Sequence, residues 1–322
     1  MSIILSIDKL GVTYSTHGGC LRALDEVSMD FESGSVSSII GESGCGKSTM
    51  IKAVMGVIPE NARISPNSKI IFQEENILKL SAEKQRQFRW RKASMVFQAA
   101  QNALNPTLKI EEQLKDSIWD HDPHFKNAGD RILELLSMVR LDPDRVLSAY
   151  PHQLSGGMRQ RVIIAMSMVL DPEMIILDEP TTALDMITQH YIFDIFQEIQ
   201  KKKNLTLILI THDIAIAAKL SQNMIVMYGG EVMEISPTEQ LFAKPIHPYT
   251  RGLIDAIPFI DGDIVKKKPI KGSPPDLINK ITGCVFSSRC ESSLRICETE
   301  RPYPEKVTEN RFVSCHRKEM FS

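Results

Sequence analysis

A chain of 322 residues and 36.3 kDa is long enough to bury a large core, either as one domain with an appendage or as two domains. Lys+Arg 38 against Asp+Glu 40 leaves a net charge of -2, so no global basic field argues for nucleic acid, and the runs Lys201-Lys202-Lys203 and Lys266-Lys267-Lys268 read as solvated charges. Mean hydropathy is -0.12 and no uninterrupted apolar stretch reaches the length of a spanning helix, roughly 18 residues, while Met1 to Asp8 lack a basic segment followed by a long apolar one; neither a bilayer crossing nor a signal peptide is expected.

In chain order, Ile3 to Ile7, Val12 to Tyr14 and Val27 to Phe31 read as short strands separated by polar turns, which predicts a small antiparallel sheet beside the core. Val36-Ser37-Ser38-Ile39-Ile40 reads as a buried strand. It runs into Gly41-Glu42-Ser43-Gly44-Cys45-Gly46-Lys47-Ser48-Thr49, which has the form G-x-x-x-x-G-K-S/T, and Thr49 to Val57 is apolar enough to begin a helix. Strand, glycine loop and helix N-terminus together hold an anion. The glycines let backbone N–H groups turn toward phosphates, Lys47 neutralises the β/γ oxygens, and the Ser48 hydroxyl reaches Mg²⁺.

From Ser81 to Lys92 charges outnumber apolar positions, predicting a surface helix or extended arm, and Ser94 to Phe97 reads as a strand. A helical segment follows from about Ile110 to Ala149, with Leu133, Leu135, Leu136 and Val139 as its apolar face and Asp142-Pro143 breaking the pattern. Met174-Ile175-Ile176-Leu177 and Leu205 to Ile210 are buried-strand candidates flanking a helix from about Met186 to Gln200. Short apolar strands alternating with helices predict an α/β domain with a largely parallel sheet covered on both faces. A strand pair, Met224 to Met227 and Glu231 to Ile235, turns at Gly229-Gly230. Past Ser236-Pro237 the prolines 245, 248, 258, 269, 274, 275, 302 and 304 leave room only for short elements, so residues 1–236 form the core and 237–322 a small extension.

The chemistry rests on residues at strand ends. Ile175-Ile176-Leu177-Asp178-Glu179-Pro180 is an apolar strand ending in two carboxylates, where parallel sheets bind ligands. Side chains alternate along a strand, so the two carboxylates point the same way only if the strand has ended. Asp178 suits Mg²⁺, directly or through water, and Glu179 suits the activation of an attacking water; an acidic strand terminus at a turn is the plain alternative. His212, just past Leu205 to Ile210 and Thr211, can contact a γ-phosphate or orient the water. Gln98, after Ser94 to Phe97, can ligate Mg²⁺ through its amide oxygen or hold the water. Leu154-Ser155-Gly156-Gly157-Met158-Arg159-Gln160-Arg161 opens a helix running to about Leu170 with a serine hydroxyl and bare glycine amides, a second anion-seeking end.

This set, with Ala183-Leu184-Asp185 and Thr211-His212-Asp213, resembles the ATP-binding cassette (ABC) ATPase domain over roughly residues 3 to 236. The resemblance implies a P-loop core with an N-terminal antiparallel subdomain and a helical subdomain at about 100–170, ATP and Mg²⁺ as ligands, and two subunits paired head to tail around two nucleotides. Lys47 of one subunit and Ser155-Gly156-Gly157 of the other would then grip the same ATP, Asp185 would contact the opposite subunit, and Tyr14, otherwise a packing residue, would stack on adenine. The finer resemblance is to the ATP-binding subunits of dipeptide and oligopeptide importers, on Leu104-Asn105-Pro106, Tyr150-Pro151-His152-Gln153, His247-Pro248-Tyr249-Thr250 and Gly272-Ser273-Pro274-Pro275. It departs from that group at Ala99-Ala100, where Asp-Pro is common. It implies an ATPase peripheral to the cytoplasmic face of the membrane, with a related but distinct ATPase subunit, two permease subunits gripped through the region after Gln98, and indirectly an extracytoplasmic binding protein. Nickel or oligosaccharide import is the neighbouring alternative, and a soluble ATPase switch acting on DNA or ribosomes a more distant one.

Of the six cysteines, Cys20 and Cys45 stand apart, and Cys45 reads as filler at a variable loop position. Cys284, Cys290, Cys297 and Cys315 follow C-x5-C-x6-C-x17-C. Four thiolates suit tetrahedral zinc or an iron-sulfur cluster, and a proline-rich extension gains stability from such a crosslink. Unligated thiols are the third alternative. Some members of the importer group carry a 4Fe-4S cluster at such positions, so the resemblance favours the cluster, in a structural rather than a redox role.

Overall fold

The computed structural model describes residues 2–182, 184–257, 270–279 and 281–321. Ala183, Pro258, Pro269 and the run Lys266-Lys267-Lys268 lie outside the described residues. The strands are β1 (Ile3–Thr16), β2 (Gly19–Glu32), β3 (Val36–Ile40), β4 (Ala62–Ile64), β5 (Lys69–Phe72), β6 (Glu75–Asn76), β7 (Ala93–Val96), β8 (Met174–Asp178), β9 (Thr206–Ile210), β10 (Asn223–Tyr228), β11 (Glu231–Pro237), β12 (Glu305–Thr308) and β13 (Arg311–Val313). The helices are α1 (Lys47–Val54), α2 (Ala82–Arg91), α3 (Ile110–Trp119), α4 (Ala128–Met138), α5 (Pro143–Leu147), α6 (Gly156–Ser167), α7 (Met186–Lys203), α8 (Ile214–Leu220), α9 (Thr238–Ala243), α10 (Pro248–Asp255), α11 (Arg295–Thr299) and α12 (Lys318–Phe321). They fall into two units, one of residues 1–32, 36–79 and 210–322, the other of 33–35 and 80–209.

In the first unit β1 and β2 form one long antiparallel hairpin, with β4 and β5 also paired to β1 and β6 to β5. The three short strands expected here are therefore two long ones. Lys9 and Glu26, at φ 49° and 50°, are bulge residues that shift the inward-facing set from Leu5 and Ile7 to Leu10 and Val12, and from Leu24 to Val27 and Met29. A bulge resets the period of two, so a strand that continues reads in sequence as two strands and a turn. The second sheet of this unit runs β3-β10-β11-β13-β12. β3 is parallel to β10 and buried at every position, as a strand covered on both faces is; the other pairings are antiparallel.

The extension joins that sheet rather than resting against it. β13 pairs with β11, and Tyr228 from β10, Tyr249 from α10 and Phe286 stack with ring centroids 4.6 to 5.3 Å apart. Beside them Glu234 of β11 is fully buried. Its carboxylate meets Arg311 of β13 at 2.7 Å and accepts the N–H groups of Ile246 and His247.

In the second unit β7 and β8 are parallel and β9 lies on the other side of β8. The expected helical segment is three helices. On α4 and just past it the buried positions include Ile132, Leu135, Leu136 and Val139, an i, i+3, i+4, i+7 stripe. Leu133, expected on that face, is off the stripe and 45% exposed. Asp142 and Pro143 start α5 instead of ending a helix: the Asp142 carboxylate accepts the Asp144 N–H, and proline sits where its missing N–H costs nothing.

Glu234→Ala should strip Arg311 of its buried partner and destabilise the fold by about 3–5 kcal/mol. Urea titration of the full chain followed by circular dichroism would read this as a lowered midpoint, and an unchanged midpoint would show the pair to be dispensable.

Candidate functional site

The glycine loop of the first unit lies where the sequence placed it, between β3 and α1. Gly41, Gly44 and Gly46 have φ of 153°, 80° and 102°. A Cβ on Gly41 would stand 2.1 Å from the Met227 carbonyl oxygen, and one on Gly46 would stand 2.6 Å from that of Ala23. Neither obstacle is a side chain that could move aside. Lys47 is buried, and its ammonium donates to the carbonyl oxygens of Gly41 (2.7 Å) and Glu42 (3.0 Å) and lies 3.4 Å from Cys45 Sγ. Ser43 and Ser48 are exposed. Burial pushes the Cys45 thiol up, so it is a neutral packing group inside the loop. Tyr14, on β1, has its hydroxyl 3.2 Å from Thr49 Oγ1 at the start of α1. His212 is exposed just past β9, and Asp213 caps α8 by accepting the Ile216 N–H.

In the second unit β8 ends at Asp178, which is buried. The chain turns at once: Glu179 has φ 47°, a left-handed conformation that costs an ordinary residue on the order of 1 kcal/mol and marks functional turns. The strand has therefore ended between the two carboxylates, the condition under which alternation no longer fixes where Glu179 points relative to Asp178. The Glu179 carboxylate accepts the Gln98 amide at 3.1 Å and the Thr182 hydroxyl at 3.2 Å. Gln98 and Glu179, far apart in sequence, are thus brought together. Thr182 was missed, because a threonine three residues past a carboxylate carries no signal until the turn folds it back.

Ser155 caps α6 by accepting the Met158 N–H, and Asp185 caps α7 through the N–H and hydroxyl of Thr188. Those hydrogen bonds hold the Asp185 carboxyl below its ordinary range. The two helix starts are close: a Cβ on Gly157 would stand 2.7 Å from Thr188 Cγ2.

A second cluster lies in the extension. Cys284, Cys290, Cys297 and Cys315 line one cavity of about 330 Å³, its open mouth included, together with His247, Phe286 and His316. Burial pushes the Cys284 thiol up to about 12 and raises Cys290 and Cys315 too. Yet a backbone N–H points at each sulfur: Phe286 at Cys284, Ser292 at Cys290, Leu294 at Cys297 and Arg317 at Cys315. Among the described residues no three or more His, Cys, Asp or Glu side chains are arranged to hold a single metal ion.

Comparison with known proteins identifies the family. Residues 24–182 match the family model described as ABC transporter, and residues 233–297 that described as oligopeptide/dipeptide transporter, C-terminal region. The chain is 43% identical to the dipeptide transport ATP-binding protein DppD of Caldanaerobacter subterraneus subsp. tengcongensis, over 98% of this chain and 97% of that one. It is 39% identical to DppD of Bacillus subtilis, over 98% and 95%, and 35% identical to the oligopeptide transport ATP-binding protein OppD of Escherichia coli, over 98% and 93%. Among solved structures it is similar to a dimeric ATP-binding cassette in a post-hydrolysis state bound to ADP and Pi, with TM-score 0.64 and 28% identity over 73% of this chain and 98% of the other. It is also similar to cbiO1 from Clostridium perfringens, with TM-score 0.64 and 28% identity over 76% and 92%.

Gly46→Ala should force a left-handed alanine against the Ala23 carbonyl. Strain of this kind predicts phosphate-ligand affinity lower by about tenfold or more, read by titration with a fluorescent ATP analogue; wild-type affinity would show that the loop tolerates a side chain.

Proposed function

We propose that this chain, which belongs to the ABC transporter family of ATPases and ends in the oligopeptide/dipeptide transporter C-terminal region, powers the import of dipeptides and oligopeptides. In the described residues no helix is long and apolar enough to cross a membrane. The translocation path therefore belongs to partners: two permease subunits, served by an extracytoplasmic binding protein, with this chain peripheral on their cytoplasmic side. A second, related ATPase subunit pairs with it head to tail.

The observation that carries the catalytic assignment is Glu179, turned out of the β8 strand end in a left-handed conformation with its carboxylate held by Gln98 and Thr182. A carboxylate fixed at two points cannot rotate away from a water aligned for in-line attack. Glu179 takes the proton of that water as its oxygen bonds to the γ-phosphorus and the bridging P–O bond breaks. Lys47 and the amides of Gly41 to Thr49 neutralise and orient the phosphates, and His212 steadies the γ-phosphate. Ser155, Gly156 and Gly157 present the α6 N-terminus to the partner's nucleotide, and the exposed Asp185 faces the opposite subunit. Tyr14 stacks on adenine. Ser48, Gln98 and Asp178 carry the oxygen donors that would hold Mg²⁺, which would supply positive charge to offset that of the phosphates.

Four cysteines lining one cavity support the reading that the extension holds a 4Fe-4S cluster. At Cys284, Cys290 and Cys315 backbone amides aimed at the sulfurs favour the anionic form, while burial alone would keep these thiols protonated. A metal centre reconciles the two by binding thiolates outright. Its role is to crosslink the short elements of the extension.

Glu179→Gln should preserve ATP binding and slow turnover of the assembled transporter by about 100-fold to 10,000-fold. Phosphate release in liposomes at the wild-type rate would refute the assignment. Anaerobic purification followed by iron, sulfide and zinc analysis should return iron and sulfide in near-equal, stoichiometric amounts, and protein free of metal would refute the cluster.

A further inference from the structure

The side chain of Glu42, the first variable residue of the phosphate loop, reaches the extension. Its carboxylate is gripped two-handed by Arg289, with Nη1–Oε2 at 2.7 Å and Nη2–Oε1 at 3.1 Å. Its backbone N–H donates to the Tyr249 hydroxyl at 2.9 Å. One loop residue is thus held at main chain and side chain by two residues far along the sequence.

Both holders are themselves fixed. Tyr249 is fully buried, and the Arg289 side chain is 5% exposed. Beyond Glu42, Arg289 donates to the carbonyls of Lys271 (2.8 Å) and Ile270 (3.2 Å) and to the Tyr228 hydroxyl (3.0 Å). A planar five-donor fork used this fully has one available orientation. On the other side of Glu42, its carbonyl and that of Gly41 are the oxygens that Lys47 engages. A continuous path runs from Arg289 and Tyr249 through Glu42 to the lysine that grips phosphate.

We propose that Tyr249 and Arg289 are positioning residues for the phosphate loop, so that the carboxy-terminal extension is part of the nucleotide-binding machinery. This rests on the reading of Gly41 to Thr49 as a nucleotide loop. Arg289 rides on a tight turn between two cavity cysteines, in which Ser287 N–H bonds to Cys284 O, Arg289 N–H to Phe286 O and Cys290 N–H to Ser287 O. Coupling is reciprocal, so nucleotide at the loop must in turn steady this turn.

The test uses the full chain, a fluorescent ATP analogue and Mg²⁺, with Lys47→Ala as the binding-dead control. Arg289→Met should weaken binding by about tenfold and Tyr249→Phe by about threefold, within the range of coupled sites. Arg289→Lys should fall between wild type and Arg289→Met. The double variant Glu42→Gln/Arg289→Met should lose little more than Arg289→Met alone, because both substitutions break one contact. Wild-type affinity in both Arg289→Met and Tyr249→Phe would overturn the proposal. If Arg289→Met fails to fold, Tyr249→Phe and hydrogen exchange decide: adding the analogue to wild-type protein should slow exchange at Ser287, Arg289 and Cys290, and unchanged exchange there with unchanged Tyr249→Phe affinity would overturn it. A wild-type chain that binds no analogue would instead overturn the nucleotide reading, and this inference with it.

Discussion

Backbone-to-backbone contact around the phosphate loop is the constraint on which the first unit is built. Gly41 passes the Met227 carbonyl and Gly46 the Ala23 carbonyl with no space for a methyl group, and a Cβ on Gly230 would stand 2.9 Å from the Ala23 carbonyl oxygen. Hydrogen bonds join the same segments: Gly230 N–H to Cys45 O, and Asp25 N–H to Gly230 O. The loop is thus wedged between the β1–β2 hairpin and the β10–β11 turn. The long bulged hairpin and the Gly229-Gly230 turn, which look in sequence like separate conveniences, are two sides of one mould that fixes where the amides point. A preorganised set of donors need not be reordered when charge arrives, which is the condition for strong electrostatic stabilisation.

What could be read from the sequence was whatever repeats a local rule. The strand-loop-helix around Lys47, the strand end at Asp178 and the helix-opening serine at Ser155 each follow from a few neighbouring residues. What escaped depends on phase or on distance. Lys9 and Glu26 broke the alternation of β1 and β2 because a bulge is invisible to a period of two. Leu133 was assigned to the buried face because four apolar residues in seven do not say which three share a stripe with Ile132. Thr182, Tyr249 and Arg289 escaped for a third reason: each acts on a residue that is distant in sequence or folded back by a turn, and composition holds no record of that meeting.

In the cysteine cavity two electrostatic influences oppose each other. Desolvation raises the cost of a thiolate, and it dominates at Cys284, Cys290 and Cys315. The inward amides work against it, each with the strength of a single hydrogen bond to sulfur. Neutral thiols would leave those amides with weak acceptors in a buried place, a poor use of four donors. Cys284 and Cys297 also belong to the apolar cluster that contains Tyr228, Tyr249 and Phe286. The environment of the sulfurs is therefore continuous with the packing that holds the Tyr249 hydroxyl at Glu42.

Three arginines of the extension explain why that continuity is geometric more than energetic. Arg289 grips Glu42, Arg301 meets Asp25 and Glu231, and Arg311 meets Glu234. Each anion lies on the loop, on β2 or on β11, and each arginine is largely withdrawn from water. Burying such pairs gains little net stability, since desolvation offsets most of the attraction. An apolar surface would have attached the extension at least as firmly. Apolar contact, however, tolerates sliding by a fraction of an ångström, whereas a bidentate guanidinium-carboxylate pair does not. Arg289 and Glu42 form such a pair, while Arg311 meets a single oxygen of Glu234 and Arg301 divides between Asp25 and Glu231; together these contacts define a single seat for the extension. The aromatic and aliphatic packing around Tyr228 and Phe286 keeps it there, and the ion pairs determine where the loop stands relative to it.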